Sequence, residues 1–141
     1  ARIPSPSNNI VANNTFLPPI GTGSEEGGGD AIDLSFSTGI VVETNNIQGC
    51  VDKGVSVGEA SRPLIRDNTI RGCAIGIAVK DASRARIFSN HFIENDIAVS
   101  AYERKKEFGG GTAVIIGSRF EGNRENTVHD AASEIIILNQ P

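Results

Sequence analysis

The clearest indication of the fold is a sequence repeat in residues 53–95, where two similar segments follow each other: KGVSVGEASRPLIRDNTIRGC (53–73) and AIGIAVKDASRARIFSNHFIEN (74–95). Every matching pair is 22 residues apart. The pairs are Gly54 and Gly76, Val55 and Ile77, Val57 and Val79, Ser61 and Ser83, Ile65 and Ile87, Asn68 and Asn90, and Ile70 and Phe92. A short fixed period of this kind is typical of a stack of similar units that contact only their neighbours.

The repeat extends on both sides of this segment and alternates like a strand. Ile32, Val42, Asn45 and Cys50 fall at matching places before it, and Ile115, Phe120, Asn123 and Ile137 after it. Apolar residues recur at every second position, as at Val55 and Val57, and no helical periodicity persists. This pattern predicts strands. Three short strands fit each unit, around residues 54–57, 64–66 and 69–71.

A strand of about four residues cannot bury its apolar side alone, so we expect each unit to stack on the next with parallel strands about 4.8 Å apart. Inward side chains then form columns, such as Ile70 on Phe92 on Phe120. Equivalent asparagines form a ladder of side-chain amides at one turn. We expect these asparagines, Asn45, Asn68 and Asn90, to adopt a left-handed backbone conformation.

The unit endings, N-x-[IF]-x-x-[CN], and the unit openings, G-[IV]-x-V, resemble the right-handed parallel β-helix of the pectate-lyase-like superfamily with PbH1-type repeats, over about residues 30–123. The resemblance implies an all-β solenoid of about five coils. We expect a single domain over residues 1–141, with irregular first and last coils, a surface loop at 17–29 and an inserted loop near 103–112. The superfamily includes lyases, hydrolases, epimerases, phage tailspikes and non-catalytic domains, so the fold leaves function open.

The composition limits the classes of binding partner and the cellular locations that we expect. The net charge is −4 and the sequence has no basic cluster of the kind that binds phosphate backbones, so we expect no nucleic-acid partner. No window approaches 18 apolar residues, so we expect no membrane span. The sequence begins with alanine and not methionine, so we expect that the chain was either processed after export or cut from a longer sequence. We expect an extracellular or periplasmic location.

The first strands of the units present two outward columns that could form a site. One column holds Asp33, Ser56, Ala78 and Ser100, and the next holds Ser35, Gly58, Lys80 and Tyr102. In polysaccharide-active members of the superfamily this face holds the substrate. The resemblance therefore implies a shallow groove with binding residues Asp33, Ser56, Lys80, Ser100 and Tyr102. The alternative is a row of ordinary solvated strand residues.

Lys80 and Tyr102 are also the candidate catalytic residues. A uronate lyase or epimerase needs a base near the C5 proton and a cation near the carboxylate. These two residues should be neighbours on adjacent coils, and the inserted loop adds further basic residues. No residue-by-residue family motif supports the assignment.

Two smaller groups of side chains each have more than one interpretation. The carboxylates Asp30, Asp33, Asp52 and Glu59 could hold Ca²⁺ as a cofactor. Alternatively, Asp30 pairs with Lys53 of the next coil and the carboxylates are solvated turn residues. Cys50 and Cys73 occupy equivalent places and should stack, either as free thiols or as a disulfide. Parallel stacked side chains disfavour the disulfide torsion, so we expect free thiols.

Three functions fit these observations. The preferred one is a non-catalytic or partial β-helix module of an exported protein that binds polysaccharide or serves as structure. The second is a carbohydrate-active domain, similar to a polysaccharide lyase or uronate epimerase. The third is a building block that adds to copies of itself through its open ends or by other homo-oligomeric contacts.

Overall fold

The computed structural model describes residues 9–18 and 29–138, which form sixteen strands and no helix. The strands are β1 Ile10–Ala12, β2 Thr15–Phe16, β3 Ile32–Ser35, β4 Thr38–Glu43, β5 Asn46–Gln48, β6 Lys53–Gly58, β7 Arg62–Arg66, β8 Thr69–Arg71, β9 Ile75–Lys80, β10 Arg84–Phe88, β11 His91–Ile93, β12 Ile97–Tyr102, β13 Thr112–Ile116, β14 Arg119–Glu121, β15 Glu125–His129 and β16 Glu134–Leu138. The described part of the chain contains no helix that could span a membrane. Most of the loop expected at 17–29 lies outside the described residues.

The strands form three parallel sheets that run along the stack. Sheet A contains β1, β4, β7, β10, β13 and β16; sheet B contains β2, β5, β8, β11 and β14; and sheet C contains β3, β6, β9, β12 and β15. The chain visits the sheets in the order A, B, C, so each circuit is one coil. The described residues make five circuits and begin a sixth, as the repeat predicts.

The core consists of the inward columns. Val55 pairs with Ile77 and Ile77 with Val99 in sheet C, while Ile70, Phe92 and Phe120 align in sheet B. Residues 55, 70, 77, 92 and 99 are fully buried. The Phe92 and Phe120 rings stack with centroids 5.3 Å apart. The 22-residue alignment is therefore confirmed as a structural register.

The asparagine ladder is present at the turn between sheets A and B. Asn68 Nδ2 donates to Asn90 Oδ1 at 2.9 Å, and Asn45 Nδ2 donates to Asn68 Oδ1 at 3.0 Å. The expected left-handed conformation of these asparagines is wrong. The positive φ values belong to the residue before each one: Thr44 (57°), Asp67 (57°) and Ser89 (56°). The turn is made there, and the asparagine then returns to an ordinary conformation with its amide facing inward.

A second ladder lies between sheets B and C, where cysteine replaces asparagine in two coils. The backbone N–H of Cys73 donates to Asn95 Oδ1 at 2.9 Å, and that of Cys50 donates to Cys73 Sγ at 3.4 Å. Both cysteines are free thiols, as expected. A hydrogen bond between the two thiols, together with burial, raises the pKa of Cys73. The same hydrogen bond lowers the pKa of Cys50, against the effect of burial.

The inserted loop at 103–111 folds back along the turns of earlier coils. Lys105 forms an ion pair with Glu59 at 3.2 Å, and Phe108 meets Phe36 edge-on with ring centroids 5.9 Å apart. The loop ends at Gly111, where an added Cβ would lie 2.1 Å from the Val79 carbonyl oxygen. Only glycine fits at this close approach. The insertion thus borders sheet C where its strands end.

Candidate functional site

The structure brings the predicted site residues together on the outer face of sheet C. Asp33 pairs with Ser56, Ser56 with Ala78 and Ala78 with Ser100, so the first outward column is in register. In the second column, Tyr102 is the direct partner of Lys80. Their binding and catalytic roles stay predictions.

The middle of this face differs from an open, solvated groove. Ser56 is 1% exposed, Lys80 and Ser100 are 6% exposed, and Ala78 is fully buried. Asp33 remains exposed and Tyr102 is half-buried. The Ser56 hydroxyl is buried without a hydrogen-bond partner. Alternation along a strand predicts which side chains lie on the outer face of the sheet. It does not predict whether they are exposed to solvent, because it carries no information about what covers that face.

The electrostatics of this face do not favour Tyr102 as a base. Burial raises the pKa of the Tyr102 phenol, and the Lys53 ammonium offsets this only in part. The phenolate form that a base requires is therefore disfavoured. The raised pKa weighs against Tyr102 as the base for proton abstraction at C5.

The acidic set does not assemble around a metal position. The described residues contain no group of three or more His, Cys, Asp or Glu side chains arranged to hold a metal ion. Instead, Lys53 Nζ contacts Asp52 Oδ2 at 2.6 Å and Asp30 Oδ1 at 3.8 Å. Burial opposes the charged form of Lys53, but the hydrogen bond to Asp52 and the neighbouring charges raise its pKa overall. The ion-pair interpretation of Asp30 is confirmed.

Glu59 lies apart from the other three carboxylates. Its side chain accepts a hydrogen bond from the Ser35 hydroxyl and pairs with Lys105 of the inserted loop. The Ser35 hydrogen bond and the charges of Lys105 and Lys80 lower the pKa of Glu59. This carboxylate therefore anchors the loop to the first coils.

An open polar cleft lies on a different face, the outer side of sheet B, and we call it the sheet B groove. Its volume is about 410 Å³. Its outward lining residues come from β5, β8 and the turns before them, and are Thr44, Asn46, Gln48, Asp67, Thr69 and Arg71. Register pairs Asn46 with Thr69 and Gln48 with Arg71, so the groove follows the stack. Thr44, Asp67 and Arg71 are exposed and the other three are half-buried.

The groove offers hydrogen-bonding groups of every kind. Two hydroxyls and two amides both donate and accept, the Asp67 carboxylate accepts, and the Arg71 guanidinium donates. Neither Asp67 nor Arg71 forms an ion pair with another residue in the ranges 9–18 and 29–138. Gln48 Nε2 reaches Asn46 Oδ1 at 3.4 Å, a weak contact that a ligand could replace.

Sequence reasoning missed this groove because it placed the site on the first strand of each unit. A signal was available in the third strand. The residues that flank each inward Ile or Phe must face outward, and in two successive units they are Asn46 with Gln48 and Thr69 with Arg71. The positive-φ turns then bring Thr44 and Asp67 beside them. The sequence pattern does not indicate this placement of Thr44 and Asp67, which follows only from the geometry of the turns.

Comparison with known proteins identifies one family. The model described as "Right handed beta helix region" matches residues 1–140. No curated protein matches the chain, and no solved structure matches it.

Proposed function

Since the chain belongs to the right-handed β-helix family, we propose that it is a non-catalytic module of an exported protein that binds polysaccharide in the sheet B groove. The observation that carries this proposal is the open row of mixed donors and acceptors formed by β5 and β8. Polysaccharides lie mostly outside the cell, which is consistent with export.

The chemistry of the groove suits a polyhydroxylated ligand. Each sugar hydroxyl both donates and accepts, so a binding surface needs the same mixture, which Asn46, Gln48, Thr69 and their neighbours supply. The volume of about 410 Å³ falls within the range of ligand clefts, which is about 300–1,000 Å³. The lining contains no aromatic ring on which a sugar could stack. We therefore expect weak binding per sugar, strengthened along a polymer by repeated contacts.

A carbohydrate-active enzyme is the second candidate. Lys80 and Tyr102 in register, beside the unpartnered hydroxyl of Ser56, are the features that favour it. The burial of Lys80 and the raised pKa of Tyr102 weigh against it, because a lyase base must reach the substrate and accept a proton.

The test is affinity electrophoresis on gels that contain soluble neutral or uronic polysaccharides, followed by calorimetry with oligosaccharides of any polymer that retards the chain. We expect Asp67→Asn and the double change Asn46→Ala with Thr69→Ala each to weaken binding by roughly tenfold. Lys80→Gln is the matched control on sheet C and should bind normally. The proposal fails if no polymer retards the chain, or if Lys80→Gln abolishes binding while the groove variants do not.

A further inference from the structure

Three arginine side chains lie together on the outer face of sheet A, and we call them the arginine cluster: Arg62 on β7, and Arg84 and Arg86 on β10. All three are exposed, and they line one cleft of about 270 Å³. Arg86 pairs with Leu64, so the same register places Arg84 directly beside Arg62, about 4.8 Å away at the backbone.

The cluster is not neutralised within the described residues. None of its three members forms an ion pair there, whereas Arg66 pairs with Glu43 and Arg124 with Asp96. The acidic residue in the Arg84 column is Glu134, which is two strands away because Thr112 lies between them. Like charges on directly opposite residues destabilise a sheet. A chain with net charge −4 thus maintains an unfavourable local concentration of positive charge.

The surroundings of Arg86 also fit a binding role. The residues in its column, Val41, Leu64, Val114 and Ile136, are apolar and only partly buried. An arginine stem packs against such a surface while its charged end stays at the surface. The guanidinium then presents a planar fork of N–H donors, which matches the oxygens of sulfate, phosphate or carboxylate.

We propose that the arginine cluster is an oxyanion-binding site, filled either by a free anion such as sulfate or phosphate or by the sulfate groups of an anionic polymer. The two sources share one recognition chemistry, two or three guanidinium forks around a group of oxygens. The site lies on sheet A and is independent of the sheet B groove, so one can fail without the other.

The test is an NMR titration that follows the Nε–H signals of the arginines, using sodium sulfate, dextran sulfate and uncharged dextran. We expect saturable shifts at Arg62, Arg84 and Arg86 with a sulfated ligand and none with dextran. Binding should weaken as sodium chloride is added, because the contacts are ionic. Shifts with dextran sulfate alone assign the site to a polymer, while saturation by sodium sulfate shows that a free anion suffices.

Three variants distinguish anion binding by the arginine cluster from a general effect of positive surface charge. Arg84→Gln should bind about tenfold more weakly, and Arg84→Lys should lose less because it keeps the charge without the fork. Arg119→Gln removes the same charge from the exposed face of sheet B and should bind like the wild type. No saturable shift with either sulfated ligand, or an equal loss in Arg84→Gln and Arg119→Gln, would overturn the proposal. Thermal melts of each variant check that the exposed substitutions leave the fold intact.

Discussion

The carboxylate of Asp81 accepts a hydrogen bond from the backbone N–H of Lys105 at 2.7 Å, although the two residues belong to different coils. The same oxygen, Oδ1, also accepts the N–H of Arg104 at 2.8 Å. Asp81 is fully buried, and its other oxygen has no partner. One side chain of the third coil therefore fixes the start of the inserted loop.

Removing this side chain should free the loop. Asp81 has a φ of 55°, so Asp81→Gly deletes the carboxylate without the backbone cost that alanine would add. We expect the free energy of unfolding to fall by about 1–3 kcal/mol, since the N–H groups of Arg104 and Lys105 lose their shared acceptor. Hydrogen exchange at the amides of Arg104 and Lys105 should accelerate. Asp81→Asn keeps the acceptor and is the control. Unchanged exchange in Asp81→Gly would show that the loop is held by other contacts.

The asparagines of the two ladders should contribute to stability according to how deeply they are buried. The Asn68 side chain makes four hydrogen bonds, two accepted from Asn45 and two donated to Val42 and Asn90. Asn68→Ala should lower the free energy of unfolding by about 1–3 kcal/mol in urea denaturation, because buried partners lose their bonds. Asn123→Ala, in a partly exposed position, should cost less because water can replace the amide. Equal losses at the two positions would contradict the burial argument.

The pH dependence of stability should include a contribution from Glu59. Its pKa in the folded chain lies below the ordinary value of 4.5, chiefly because the Ser35 hydroxyl donates to it. A lowered folded pKa stabilises the fold above the unfolded value, and this stabilisation is lost as the pH falls through the folded pKa. We expect less than about 1 kcal/mol, since the pair with Lys105 is near the surface.

Thermal melts between pH 7 and pH 3 measure this contribution. Glu59→Gln should show a smaller drop in midpoint below pH 4.5 than the wild type, and Ser35→Ala should reproduce part of that change. Identical pH profiles for wild type and Glu59→Gln would refute the assignment.

The stacked coils could be predicted from the sequence because the residues that specify them are close together and recur in each unit. A period of 22 fixes which residues lie side by side, and the alternation around Val55 or Ile70 fixes which of them face the core. Ladder partners followed from the same alignment. The backbone conformation of the ladder did not, because the turn residue before each asparagine varies in type: Thr44, Asp67 and Ser89.

The exposure of the predicted sheet C site was less predictable because it depends on segments that do not repeat. Ala78 belongs to a predicted outward column, yet it is fully buried. Arg71, which flanks the inward Ile70, is exposed. The repeat places both residues correctly in register, but neither the inserted loop nor the covering of sheet C is encoded in the period.

The chain alone should have no polysaccharide lyase activity. Burial raises the pKa of Tyr102 and so disfavours the phenolate that a base requires, and Lys80 is buried. Elimination across a uronic acid gives an unsaturated product that absorbs in the ultraviolet, so alginate, pectate and chondroitin can each be screened with and without calcium. A signal that disappears in Lys80→Ala or Tyr102→Phe would establish the enzyme and these residues. Activity that survives both changes would establish an enzyme that uses other groups.

The position of the polysaccharide is the most direct test of the proposed function. Backbone amide signals of the labelled chain can be followed by NMR while an oligosaccharide selected by gel retardation is added. We expect saturable shifts centred on Asn46, Gln48, Thr69 and Arg71, with little change at Ser56, Ala78 and Ser100 on sheet C. Shifts centred on sheet C, with the sheet B groove unaffected, would contradict the proposed function.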